Sequence, residues 1–163
     1  MRLLILIFFA LSVPVANAIT LETICNNKDC FTSGWVTTEP GTDYLLTCQC
    51  KSGDCVNQGW ESQDNRNSTF DVTCKPGGCF TEGWTSVQND KGLVLIDVVL
   101  CKEGSCLTHG WDIITTYDGD GEVTCKGNDC SSFGGLSYWR GQLSETTCYN
   151  SDCYRYGWHS NIR

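Results

Sequence analysis

Cys74-Lys75-Pro76-Gly77-Gly78-Cys79-Phe80-Thr81-Glu82-Gly83-Trp84 is the stretch that decides the fold, because its pattern occurs six times in one chain. Two cysteines enclose four residues, and Gly comes four residues after the second of them. The other pairs are Cys25/Cys30, Cys50/Cys55, Cys101/Cys106, Cys125/Cys130 and Cys148/Cys153, spaced so that the pairs recur at steps of 25, 24, 27, 24 and 23 residues. The Gly is Gly34, Gly59, Gly83, Gly110, Gly134 and Gly157, and Trp follows directly as Trp35, Trp60, Trp84, Trp111 and Trp158. Only the fifth copy departs, with Gly135 in the Trp slot and Trp139 a little later. A period of this length marks a repeat architecture, in which one small unit cannot bury its apolar face alone and must pack on its neighbours.

The residues between the cysteines are turn-formers, as in Lys51-Ser52-Gly53-Asp54 and Lys126-Gly127-Asn128-Asp129. They predict a hairpin with the two cysteines opposite each other on antiparallel strands, close enough for a disulfide. Counting outward from the bridge then pairs Ile24 with Phe31, Thr73 with Phe80 and Leu100 with Leu107, and sets Trp60, Trp111 and Trp158 opposite Leu45, Ile96 and Leu143. Alternation puts Phe80, Glu82 and Trp84 on one face, the expected core side. A second, variable turn lies between units, for example Glu39-Pro40-Gly41 and Asp118-Gly119-Asp120-Gly121. Two strands per unit give about twelve short strands, and no capped 3.6-residue pattern predicts a helix. The expected fold is all-β: six tandem disulfide-stapled hairpins in one domain, as a closed or nearly closed propeller-like disc. A β-trefoil-like barrel and an open hairpin solenoid also satisfy the count.

Residues 1–18 read as a cleaved signal peptide. Arg2 supplies a positive start, Leu3 to Val15 is apolar, and Ala16-Asn17-Ala18 has the small-x-small form of a cleavage site. Residues 19–163 then form the repeat domain, with units near 19–43, 44–68, 69–92, 93–119, 120–141 and 142–163. The 145 residues left after Ala18 keep all 13 cysteines, the compositional mark of an exported disulfide scaffold, secreted or extracytoplasmic. Leu93 to Leu100 is interrupted by Asp97 and is of strand length, so no membrane span is expected after cleavage. A net charge of -8 argues against a nucleic-acid partner, which needs a basic footprint.

Zinc modules usually space their ligands by two to four residues and combine two such knuckles, so the twelve paired cysteines are read as disulfides and no metal or other cofactor is expected. Each bridge closes a short loop and contributes about 2 kcal/mol in the chain-entropy model. Cys48 is left over. It stands two residues before Cys50, in a slot held elsewhere by Thr23, Val72, Val99, Val123 and Thr146, and is read as a buried free thiol. A thiol nucleophile would need a base, and His109 and His159 sit in no context that suggests one.

Asp118, Asp120 and Glu122 alternate like the start of a calcium loop, but the flanking helices are missing and Asp-Gly is also a hairpin signal, so this is a weak candidate. Glu22, Asp71, Glu122 and Glu145 recur three residues before a first cysteine and read as a solvated stripe. Asn67-Ser68-Thr69 is a glycosylation sequon on a turn. The repeated tryptophans are packing residues. A binding site is sought where units differ, in the aromatic and arginine-rich run of units five and six: Phe133, Tyr138, Trp139, Arg140, Tyr149, Tyr154, Arg155, Tyr156 and His159. Trp139, outside the repeat register, is expected to be free for a ligand. The sequence therefore predicts a non-enzymatic exported module that binds a protein or glycan at a cell surface or envelope. A structural part of an envelope or secretion assembly is the alternative, and an extracytoplasmic enzyme the third reading.

Overall fold

The computed structural model describes residues 18–115, 120–139 and 141–163. The signal segment up to Asn17, Asp118 of the calcium candidate and Arg140 of the aromatic run lie outside them. Strands β1 (Ile19–Cys25), β2 (Trp35–Thr38), β3 (Leu45–Cys50), β4 (Trp60–Asp64), β5 (Thr69–Cys74) and β6 (Gly83–Asp90) make the first half of the sheet. The second half is β7 (Leu93–Cys101), β8 (Trp111–Thr115), β9 (Gly121–Cys125), β10 (Gly135–Trp139), β11 (Gln142–Cys148) and β12 (Trp158–Ile162). Each strand pairs with its sequence neighbours, and β1 pairs antiparallel with β12 through Ile19↔Ile162 to Thr23↔Trp158, which closes a barrel of twelve strands among the described residues. No sheet edge is left open, the main hazard of an isolated hairpin.

The all-β class, the hairpin repeats and their closure are as the sequence predicts. The subdivision into blades is not, because one continuous sheet runs through all units. The β1–β12 ladder also rules out an open solenoid, and a trefoil would place half of its strands in hairpins that cap the barrel rather than in its wall.

All six cysteine pairs are bridged within their units, with Cα–Cα distances of 4.5–4.6 Å. Their setting corrects the hairpin register. The ladder partner of the first cysteine is the unit's Trp, as in Cys25↔Trp35, Cys50↔Trp60 and Cys74↔Trp84, and the second cysteine lies in the loop. Ile24 therefore pairs with Val36, Thr73 with Thr85, and Leu100 with Gly83 and Asp112. Trp60 faces Val72 on its other side, not Leu45, and Trp111 faces Val123.

The reason is local. After the first cysteine the chain makes a 3-10 turn with a left-handed residue such as Asn27, Ser52 or Gly127. The residue before the second cysteine then caps a helical turn: the Asp29 carboxylate accepts the N–H groups of Phe31 at 2.9 Å and Thr32 at 3.1 Å. One-turn helices follow, α1 (Cys30–Ser33), α2 (Cys106–His109), α3 (Cys130–Phe133) and α4 (Cys153–Tyr156), where no helix was expected.

The repeated Gly ends this loop for two reasons. Its φ is positive, +86° at Gly59, and a Cβ there would lie on the carbonyl oxygen of Val72 in the next unit. The same overlap recurs around the barrel, up to Gly157 on the Thr23 carbonyl. Loops also bond to the preceding loop: the N–H groups of Cys55, Cys79 and Cys106 donate to the carbonyls of Phe31, Val56 and Phe80 at 2.8–2.9 Å. On the outer wall Glu22, Asp71 and Glu122 of the acidic stripe are exposed and Glu145 is half-buried, and three of the four are ion-paired with the lysine of the preceding unit, in Lys51–Asp71, Lys102–Glu122 and Lys126–Glu145.

Strand alternation separates two surfaces. Thr23, Cys48, Val72, Val99 and Val123 are buried inside, whereas Glu61, Asp71, Asp112 and Glu122 point outward into solvent. No helix among the described residues is long and apolar enough to cross a membrane.

Candidate functional site: an aromatic chamber inside the barrel

The five repeated tryptophans stand at or next to the start of a strand, each opposite its unit's first cysteine in the ladder, and turn inward. Their rings form a chain around the lumen: Trp158–Trp35 at 5.9 Å between centroids, Trp35–Trp60 at 5.5 Å, then Trp60–Trp84 and Trp84–Trp111 at 5.7 Å. Above them lies a second level, supplied by the residue directly after each second cysteine. Phe31, Phe80 and Tyr154 come from units one, three and six, yet Phe31 reaches Tyr154 at 4.0 Å and Phe80 at 5.1 Å, so these side chains converge on the barrel axis. The burial of Tyr154 holds its phenol well above the ordinary range.

Between the two levels is a partly enclosed cavity of about 310 Å³. Its wall is the five tryptophans, Phe31, Phe80, Leu107, Tyr154 and four of the second cysteines, Cys30, Cys55, Cys130 and Cys153, with Val123, Gly134, Gly135, Ser137 and Thr146 on the side of unit five. The surface is almost wholly apolar. On the far side of the tryptophans is a second space of about 290 Å³, lined by Leu46, Phe70, Asp97, Ile113 and Trp139 among others. A third depression, about 480 Å³, is polar and lies on the wall at β3–β5 around Gln49, Glu61, Gln63 and Asp71.

The aromatic run predicted from the sequence is not one surface. Phe133 and Tyr138 are exposed, Tyr138 on the outer face of β10 opposite Leu143. Tyr149 and His159 stack loosely outside, with centroids 5.7 Å apart, and Arg155 is exposed while Tyr156 is half-buried. Tyr154 is part of the mouth of the chamber. Trp139 turns inward: its ring lies against Gly121, where an added Cβ would meet it at 2.7 Å, and it lines the lower space. The structure thus corrects the reading of Trp139 as a ring free of packing.

Cys48 is free, fully buried and paired across the ladder with Trp35. Burial pushes its thiol far above the usual range, opposite to what a nucleophile needs. His109 lies beside Glu103 and His159 beside Tyr149, so neither histidine is placed as a base for Cys48. Of the calcium candidate, Asp120 is exposed and Glu122 is held by Lys102, which keeps its carboxyl below the usual range. Among the described residues no three metal-ligating side chains come together.

Sequence reasoning named Tyr154 but missed the other mouth residues. Their signal was a fixed position, one after the second cysteine, filled by Phe31, Val56, Phe80, Leu107 and Tyr154 and by Ser131 in unit five. The Gly135 break was visible, but its consequence depends on the tryptophans lying inside a lumen. Comparison with protein-family models, with curated proteins and with solved structures finds no match to this chain.

Proposed function

We propose that the mature chain is an exported, non-enzymatic binding protein whose barrel holds a small apolar molecule in the aromatic chamber. The chamber itself carries the reading: a partly open cavity of about 310 Å³, at the lower end of the size range of small-molecule sites, with an aromatic wall on a disulfide-stapled frame. Six bridges suit an oxidising, extracytoplasmic compartment, and the signal-like segment before Ile19 accords with export. An apolar ligand is favoured over the glycan expected from the sequence, because sugar hydroxyls need hydrogen-bond partners that this wall scarcely supplies.

Isothermal titration with 2-naphthol and decahydro-2-naphthol, bicyclic alcohols of suitable size, tests the reading. Saturable binding of at least one of them at one site per barrel is expected, with a change in tryptophan emission. No saturable binding of either below about 1 mM removes the reading.

A second reading, a structural part of an envelope assembly, draws support from the outer wall. Val94, Ile96, Leu100 and Ile114 are exposed on neighbouring strands β7 and β8, an apolar strip suited to a protein contact. Constitutive migration of the native protein with a large complex is its expected sign, and migration as a free monomer removes it.

A further inference from the structure

The chamber opens into a break in the aromatic ring, and the break has a defined shape. The tryptophans run from Trp158 through Trp35, Trp60 and Trp84 to Trp111, with neighbouring planes tilted by 56–61°. Tilted packing at this spacing is the arrangement that aromatic rings prefer. A sixth ring between Trp111 and Trp158 would complete the circle. The register puts its place at Gly135, whose ladder partner Cys125 corresponds to the Cys50 partner of Trp60.

Among the described residues of unit five no ring takes this place, although the Gly135 backbone is closely approached: a Cβ there would lie 2.8 Å from the Thr124 carbonyl oxygen and 3.4 Å from Val123 Cγ1. Its mouth residue is Ser131 where other units have Phe, Val, Leu or Tyr, so the same unit is small at both levels. Trp139 lies beyond the ring, against Gly121, and belongs to the lower space. Val123, Gly134, Gly135, Ser137 and Thr146 all face the chamber at this point, which gives the slot a wall of small and β-branched residues. Cys125–Cys130 on one side and Cys148–Cys153 on the other fix the loops at its rim.

We infer, building on the ligand-binding reading above, that this break is a slot for a planar aromatic group of about the size of an indole, which takes the position of the missing sixth tryptophan. A flat ring enters between Trp111 and Trp158 and meets both at the tilt the other rings share. A puckered saturated ring of the same carbon skeleton is thicker and has no aromatic edge to offer. An acyl chain fills volume without replacing a ring.

The test compares 2-naphthol with decahydro-2-naphthol on the folded, disulfide-intact protein by isothermal titration. The planar alcohol is expected to bind about tenfold more tightly, the order that two aromatic neighbours supply. Ser137→Phe, which turns a ring of the protein's own into the slot, is expected to weaken 2-naphthol by about tenfold while the melting temperature stays near that of the parent. Equal affinities of the two alcohols overturn the slot and leave the apolar chamber standing. A folded Ser137→Phe variant with unchanged affinity for 2-naphthol overturns its location. If neither alcohol binds, the slot and the chamber reading both fall. Should Ser137→Phe not fold, the comparison of the two alcohols on the parent protein decides alone.

Discussion

Gly53 and Gly59 lie in the same cysteine loop and both have left-handed backbone, φ +70° and +86°, but only one is crowded. A Cβ at Gly53 meets nothing within 4 Å, so Gly53→Ala should cost only the left-handed penalty, about 1 kcal/mol. A Cβ at Gly59 would lie on the Val72 carbonyl, an atom of the neighbouring unit's β5 strand. Val72 is the ladder partner of Trp60, so relieving the overlap displaces β5 from β4 just where Trp60 joins the aromatic ring. Two ladder bonds at about 1 kcal/mol each, some loss of tryptophan packing and the same φ penalty make about 4 kcal/mol for Gly59→Ala. In a domain of this size that is a fall of roughly 8–16 °C in melting temperature, against a few degrees for Gly53→Ala. Thermal and guanidinium unfolding of both variants without reductant, followed by circular dichroism, measures the difference. Losses that agree within about 1 kcal/mol would refute the close approach, and the repeated Gly would then be needed for its φ alone.

Two further outcomes rest on the interior. Trp139→Ala should destabilise by about 3–5 kcal/mol in guanidinium unfolding, comparably to Trp84→Ala, because both rings face the lumen; a loss below about 1 kcal/mol would return Trp139 to the surface. Cys48 should resist a thiol reagent in the native protein and give one reactive thiol per chain after unfolding without reductant. Fast native labelling would mean that β3 opens readily, and no thiol after unfolding would mean that Cys48 is bridged.

The repeat and the disulfide pairing were legible because they are periodic and covalent, whereas closure was one of three arrangements that the same strand count allowed and was decided by the β1–β12 ladder. The register was not legible, since turn-formers such as Lys51-Ser52-Gly53-Asp54 suit a tight hairpin and a wider loop equally well. What separates the two is the residue before the second cysteine. Asp29, Asp54, Asp129 and Asp152 are helix-capping residues at a fixed position, and Asp54 indeed accepts the Asn57 N–H at 3.0 Å. Read as caps, they extend each loop to the Gly and set the first cysteine opposite Trp. The aromatic run failed for a different reason. Tyr138 and Trp139 are adjacent in sequence, and adjacency on a strand means opposite faces, so a cluster in the sequence is divided between wall and lumen. Its chamber-facing members became visible only once the barrel had an inside.

That inside follows from the number of strands. Eight strands enclose a lumen that ordinary side chains just fill, and twelve enclose more. The chain meets the excess with its largest side chain, placed at one level in five of six units, and with a second level of Phe, Leu and Tyr across the mouth. Even so, spaces of about 310 and 290 Å³ remain on the two sides of the tryptophans. The five rings set the spacing and tilt that a sixth would adopt, but a Cβ at Gly135 would lie 2.8 Å from the Thr124 carbonyl oxygen, so a Trp there would require β10 to shift. Unit five instead has Gly135 at that level and Ser131 above it, while it keeps the disulfide, the helical turn and the Gly134 contact with the Thr146 carbonyl. The frame of the unit is intact and it still sends Val123, Ser137 and Trp139 inward, so the break is confined to the tryptophan level and the mouth above it, which is where the proposed slot lies.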